Sequence, residues 1–354
     1  MASSGAVSEL IDVHSHIYPV PYLELLETRQ EIPRVVNRDG KREFLIFPEE
    51  SHADVGGREM GAEFTDLDSK LAFMDRFGID RSIVSLGNPW LDPFPDRAGD
   101  EAAAVVNESM SRLEGESDGR VSAMGVLPSS SVDAVLDTLG GIVSTPGLHG
   151  VVTGPRIAGM DFDDGRLDSV WRELNDRGLP LFVHPQDGVA LERLAGYRHT
   201  LPVGVGFPME TTVALTRLVF GGVLERFPDL ELLVAHGGGC VPFLAGRLDA
   251  AWRSDEEAKR RLPRPPSAYF EKLHLDALVY YGPAFRAAQG LVGSQRLHFG
   301  TDHPFSVSDP AANLRTIDTE LPSGAEQALV RGAGAAQLFG MQPPNQGGKG
   351  ASFS

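Results

Sequence analysis

Two histidines, His14 and His16, end the apolar run Ile11-Asp12-Val13-His14-Ser15-His16. Side chains on a β-strand alternate faces with period two, so both imidazoles point the same way and can share one metal ion. The pair alone fits equally well with two polar residues leaving a strand. Three later apolar runs end in the same kinds of side chain: Leu181-Phe182-Val183-His184, Leu232-Leu233-Val234-Ala235-His236 and Leu297-His298-Phe299-Gly300-Thr301-Asp302. Four strand ends bearing His or Asp describe one site at a rim of a barrel. Neutral imidazoles with a carboxylate suit Zn²⁺, and Mn²⁺ also fits. A neutral His236 beside such an ion can take a proton from water or hydrogen-bond to a substrate, and Asp302 can both ligate and shuttle a proton. The bland account of His236 is a packed imidazole at a Gly-rich turn.

Such residues need strands that end together. The chain alternates short apolar runs with segments of helical spacing, the pattern of repeated βα units around a parallel sheet, and eight units can be counted. The first strand, about 10–14, is followed by a long connection to about Thr65 that holds Arg42-Glu43-Phe44-Leu45-Ile46-Phe47, read as a small hairpin arm. Thr65 reads as a helix cap, with Leu67, Leu71, Met74 and Phe77 on one helical face. Strands are expected at 82–86, 121–126, 148–152, up to His184, up to His236, 272–276 and up to Asp302, with a closing helix near 325–338. Active sites of α/β barrels lie at the C-terminal ends of the strands, where these candidates sit. The expected organisation is one domain over residues 1–340 with an insertion at about 17–64, a charged, Pro-rich surface insertion at 254–266, and a disordered tail at 341–354. His52, His149, His199, His274 and His298 are expected to be surface or supporting groups, because none ends a strand, and His303 to support the site or line its loop.

With 32 basic and 49 acidic side chains the formal net charge is −17, which disfavours a broad nucleic-acid or anionic-membrane surface. An anionic substrate would therefore need local arginines. The chain has no apolar run near the roughly 18 residues of a membrane span, residues 1–10 show no basic region followed by an apolar segment and so are not expected to act as a secretory signal, and the single cysteine, Cys240, fits a reducing cytosol.

In their order, His14-x-His16, His184, His236-Gly-Gly-Gly and Thr301-Asp302-His303-Pro304-Phe305 resemble the amidohydrolase superfamily over roughly residues 10–340. More closely, they resemble the branch typified by aminocarboxymuconate-semialdehyde decarboxylase, which includes the resorcylate, carboxyvanillate and isoorotate decarboxylases. The resemblance implies a distorted (β/α)8 TIM barrel with one divalent metal ion, zinc or manganese, held by His14, His16, His184 and Asp302. It makes Asp302 and His236 the acid-base or substrate-positioning pair. Leu86-Gly87-Asn88-Pro89-Trp90 is similar to the isoorotate decarboxylase segment whose asparagine faces the substrate. Arg58 stands where those enzymes carry a substrate-binding arginine, and Phe305 matches an aromatic residue packed on the substrate ring. Arg247, in the pattern after His236, corresponds to an arginine that reaches a neighbouring subunit's site, which implies a homodimer or higher homo-oligomer. The bland accounts are a solvated Arg58, an ion-paired Arg247 and an Asn88 that only begins a turn.

The implied reaction is metal-dependent, non-oxidative decarboxylation of an aromatic or heteroaromatic acid, with isoorotate to uracil as the nearest case. Loss of CO₂ from an aryl acid leaves a poor carbanion, so a proton must reach the ring carbon or an electron sink must be provided before the bond breaks. The sequence leaves open whether Asp302 delivers that proton or His236 acts as base toward bound water. The rival reading is a mononuclear hydrolase of an amide or lactone. Binuclear hydrolases commonly need a carboxylated lysine on strand four, and Leu148 to Ile157 contains none. A third reading, a non-catalytic metal-binding scaffold, is disfavoured by the intact acid-base residues.

Overall fold

The computed structural model describes residues 9–52, 55–94 and 96–342. Eight strands form one parallel sheet: β1 (Ile11–His16), β2 (Arg81–Ser85), β3 (Val121–Val126), β4 (Leu148–Thr153), β5 (Leu181–Val183), β6 (Leu232–Val234), β7 (His274–Asp276) and β8 (Leu297–His298). They lie side by side in chain order from β1 to β8. The ring closes through the segment after β8. Val13 N–H donates to Phe299 O (3.1 Å), Asp302 N–H to His14 O (2.8 Å) and His16 N–H to His303 O (2.7 Å). The result is the expected distorted (β/α)8 TIM barrel.

Every residue of β1 and β3 is buried, as expected for barrel strands covered on both faces. Alternation on β1 gives Asp12, His14 and His16 one face and Ile11, Val13 and Ser15 the other. Strands β5 to β8 are shorter than expected, so His184, His236 and Asp302 lie in the turns just past the sheet. Those turns are sharp: His236 and Asp302 both have positive φ, 55° and 56°, a conformation that surrounding structure must enforce. At Gly237 (φ 62°) a Cβ would collide with Val279. At Gly300 it would stand 2.9 Å from the His14 Cβ, so only glycine lets the closing segment approach β1 this closely.

The connection after β1 folds as a three-stranded antiparallel arm, Arg34–Arg38, Lys41–Leu45 and Arg58–Glu59. The hairpin was expected; a third strand was not, and it pairs Arg58 with Phe44 in the arm. Thr65 is not the helix cap. Asp66 is, its carboxylate accepting from Ser69 N–H (2.9 Å), and the helix Leu67–Phe77 ends at Gly78 in the left-handed region. The expected apolar face packs on the core, but Lys70 is buried beside Met74. The segment at 324–338 is three short helical pieces, not one helix. The 254–266 insertion carries a short helix, Glu256–Arg261, and the tail from residue 343 lies outside the described residues. His274 and His298 were expected at the surface or in support. Both are buried, their rings stacked 5.0 Å apart, with Nδ1 of the first 2.7 Å from Nε2 of the second.

Candidate active site

The turns after β5 and β8 bring His184 and Asp302 to the two β1 histidines. One donor atom from each of His14, His16, His184 and Asp302 lies within 4.8 Å of the others, and all four residues are buried. Asp302 Oδ1 is 3.5 Å from His14 Nε2 and 3.3 Å from His16 Nε2. Phe182 and Trp90 wall the cluster, their rings 4.9 Å from His14 and 5.6 Å from His184.

Each imidazole is oriented from behind. His14 Nδ1 donates to Asp276 Oδ2 (2.6 Å), and His184 Nδ1 donates to Pro185 O (2.7 Å). A carboxylate or carbonyl only accepts, so in both rings Nδ1 carries a proton and Nε2 is the nitrogen turned toward the other donors. His16 Nδ1 lies 3.1 Å from Ser85 Oγ. The four atoms left over, Nε2 of the three histidines and Oδ1 of Asp302, are buried without a hydrogen-bond partner among the described residues. Unpaired buried polar atoms are costly, and four converging ones fit a cation. Burial also suppresses protonation: it pushes His16 down to about 4 and His184 well below its ordinary value. Burial alone would raise Asp302, but the neighbouring His16 and His14 hold it below the usual carboxylate range.

His236 stands beside this set. Its Nε2 is 4.0 Å from Asp302 Oδ2, and its Nδ1 is buried without a partner. Burial lowers its pKa, which favours the neutral ring. The two carboxylate oxygens of Asp302 thus face different neighbours, one the converging donors and the other His236.

The other expected site residues are placed as follows. The Arg58 guanidinium lies 4.8 Å over the Phe305 ring, itself 5.1 Å from the His16 ring. Asn88 donates from Nδ2 to Gln186 O (3.0 Å), and its backbone carbonyl accepts from Tyr18 Oη (3.1 Å), so it bridges turns and does more than begin one. Arg247 is exposed on the helix Val241–Arg253 and is not among the converging groups. His303 packs against the helix Leu67–Phe77, stacked on Phe73 at 3.7 Å.

Asp276 escaped sequence reasoning, although its signal was there: it is a carboxylate ending an apolar strand at the same rim. Besides His14 it accepts from the backbone N–H of His236 (2.8 Å), Gly237 (2.8 Å) and Leu278 (3.1 Å), so it fixes a ring and a turn together. Asp276→Asn should weaken divalent-metal affinity by roughly 10–100-fold, the usual scale for such supporting groups. Chelator competition on the purified variant reads this directly, and unchanged affinity would remove Asp276 from the role.

A parallel barrel whose C-terminal rim gathers three imidazoles and a carboxylate defines a metal-dependent barrel enzyme. The chain belongs to the amidohydrolase family, whose model matches residues 11–341. An apo-form IDCase of Metarhizium anisopliae has a similar structure, with 30% identity, a TM-score of 0.88, and coverage of 96% of this chain and 99% of that one. The 2-amino-3-carboxymuconate-6-semialdehyde decarboxylase of Dictyostelium discoideum is 27% identical over 293 residues, 81% of this chain and 80% of that protein. A dihydroxybenzoic acid decarboxylase from Polaromonas sp. JS666, solved with bound manganese and 2-nitroresorcinol, shares the fold at 18% identity and a TM-score of 0.75, covering 95% and 98% of the two chains.

Proposed function

We propose that this enzyme decarboxylates a planar, anionic ring acid, with isoorotate, giving uracil, as the leading substrate. It is a metal-dependent carboxy-lyase of the amidohydrolase family acting on aromatic carboxylic acids. The observation that carries the reading is the pairing of four partnerless metal donors with a second acid-base group, His236, at the free oxygen of Asp302. His14, His16, His184 and Asp302 Oδ1 hold one divalent ion, zinc or manganese, which when bound supplies positive charge for the substrate carboxylate and the adjacent ring oxygen.

The protein's own groups do the rest. Arg58, held in the arm over Phe305, provides fixed charge and paired donors toward a planar acid, and Phe305 packs against the ring. Asn88 contacts the ring's polar edge. Asp302, ionised at rest, first takes a proton on Oδ2 relayed from solvent by His236 and then delivers it to the ring carbon bearing the carboxylate; the C–C bond then breaks, its electron pair returns to the ring, and CO₂ leaves. Buried walls limit water at the reacting carbon. His236→Ala should leave metal content intact and lower turnover by roughly 10²-fold, the scale of lost acid-base assistance; full turnover in the metal-loaded variant would exclude the role.

The catalytic unit is residues 1–340 with the arm as its insertion. Arg247, exposed on its outer helix, supports a homodimer or larger homo-oligomer in which it faces a neighbouring site. One cysteine, and no helix among the described residues long and apolar enough to cross a membrane, support a cytoplasmic enzyme. Metal analysis followed by a CO₂-release screen over isoorotate, hydroxybenzoates, carboxyvanillate and aminocarboxymuconate semialdehyde tests the substrate. In D₂O the ring carbon that lost CO₂ should carry deuterium. A hydrolysis product, or a product without that deuterium, overturns the reading.

A further inference from the structure

The helix Phe207–Phe220 meets two of the site's turns with its first turn, through two buried polar side chains, Glu210 and Thr212. A buried polar group needs partners, and theirs lie in the site. Glu210 accepts from the backbone N–H of Gln186 (2.8 Å) and Gly188 (2.9 Å) and, more distantly, of Asp187 (3.4 Å). That segment follows His184, whose ring is held by Pro185 O, and its Gln186 carbonyl accepts from Asn88 Nδ2. One carboxyl group thus fixes the stretch that orients a metal donor and a substrate contact.

Thr212, two residues further along the helix, serves the turn after β6. Its Oγ1 donates to Pro208 O (2.7 Å) and accepts from Cys240 N–H (2.8 Å), four residues beyond His236. Gly239, at φ 63°, comes so close that a Cβ there would collide with Pro208 O and stand 2.8 Å from Thr212 Oγ1. Asp276 holds the near end of this glycine turn, at His236 and Gly237, and Thr212 holds its far end.

We infer that Glu210 and Thr212 are separate positioning residues for the two halves of the site: Glu210 sets His184 and Asn88, and Thr212 sets His236. The inference rests on the roles given above to those three residues. Neither Glu210 nor Thr212 is among the converging metal donors, so each acts only through the turn it holds.

Removing each residue should disturb its own half. Glu210→Leu takes away both acceptor oxygens at similar bulk. It should bind Mn²⁺ about tenfold more weakly in chelator competition, the low end for groups that support metal ligands, because Glu210 acts on His184 through the backbone. With manganese saturating, KM for isoorotate should rise about tenfold and kcat change by less than about threefold. Thr212→Val keeps the shape and removes the hydroxyl. It should bind manganese as the unaltered protein does and lose about tenfold in kcat at unchanged KM, the scale of a small displacement of an acid-base group.

Glu210→Gln retains one acceptor oxygen and Thr212→Ser retains the hydroxyl, so each should restore most of the corresponding loss. Serine gives up the buried methyl that valine keeps, and kcat that follows the hydroxyl while Tm follows the methyl marks positioning. A helix that merely packs against the barrel would make both variants lose manganese affinity, kcat and Tm together. That common pattern, or failure of Gln and Ser to rescue, overturns the proposal. Should Glu210→Leu or Thr212→Val fail to fold, Glu210→Asp, which draws the carboxyl group back by one methylene, and Thr212→Ala decide by the same split. If isoorotate is not turned over, the substrate reading fails and the manganese arm still decides: weaker binding in Glu210→Leu alone supports separate positioning, and equal binding in the two variants overturns it.

Discussion

Asp302→Asn is expected to lower turnover by about 10³-fold or more while the protein keeps its metal. The amide oxygen can take the place of Oδ1 among the donors, so His14, His16 and His184 still hold the ion with it. What the amide cannot do is carry a proton on the second atom, which lies 4.0 Å from His236 Nε2. The loss belongs at the upper part of the 10²–10⁴ range for general acid-base groups, because in the proposed reaction the proton transfer precedes C–C cleavage. Elemental analysis and CO₂ release measured on the same preparation separate the two functions of this residue. Retained metal with turnover within tenfold of the unaltered enzyme would show that the proton travels by another route. Loss of both would show only a ligand.

Removing the ion should have the other largest effect, abolishing CO₂ release and lowering thermal stability together. The three Nε2 atoms and Asp302 Oδ1 then face one another with no partner of their own. An ion that binds only the folded protein stabilises it by about 2.7 kcal/mol at a hundredfold excess over its Kd. Dialysis against a chelator should therefore cost activity and several degrees in Tm, and adding back Zn²⁺ or Mn²⁺ should restore both. Comparison of the two ions identifies the better one. An apo protein that still releases CO₂ at the original rate would rule out a metal-dependent reaction.

The sequence by itself determined the barrel and most of the site's cast. Both are written in local patterns: apolar runs of strand length set between helical segments, with the chemistry-bearing side chains placed where each run stops. His14 and His16 are two apart on one strand, so their common face follows from period two alone. His184, His236 and Asp302 come from different units, but a parallel barrel puts all its strand ends at one rim, and topology converts sequence position into proximity. The arm's hairpin was legible in the same way.

Tertiary structure decided what depends on contacts distant in sequence. That Asp276 orients His14 across 262 positions, and that Lys70 meets His303 across 233, has no local signature. A lysine in a helical apolar stripe reads as an interruption until the seam it reaches is known. The same holds for Arg58, whose strand is two residues long and exists only by pairing with Glu43 and Phe44. His274 and His298 read as surface or supporting groups, and only the fold chooses between the two: each is buried, with the other as a partner. Local pattern fixes which residues stand at strand ends, whereas burial and pairing, which fix their charge and orientation, arise only when the barrel closes.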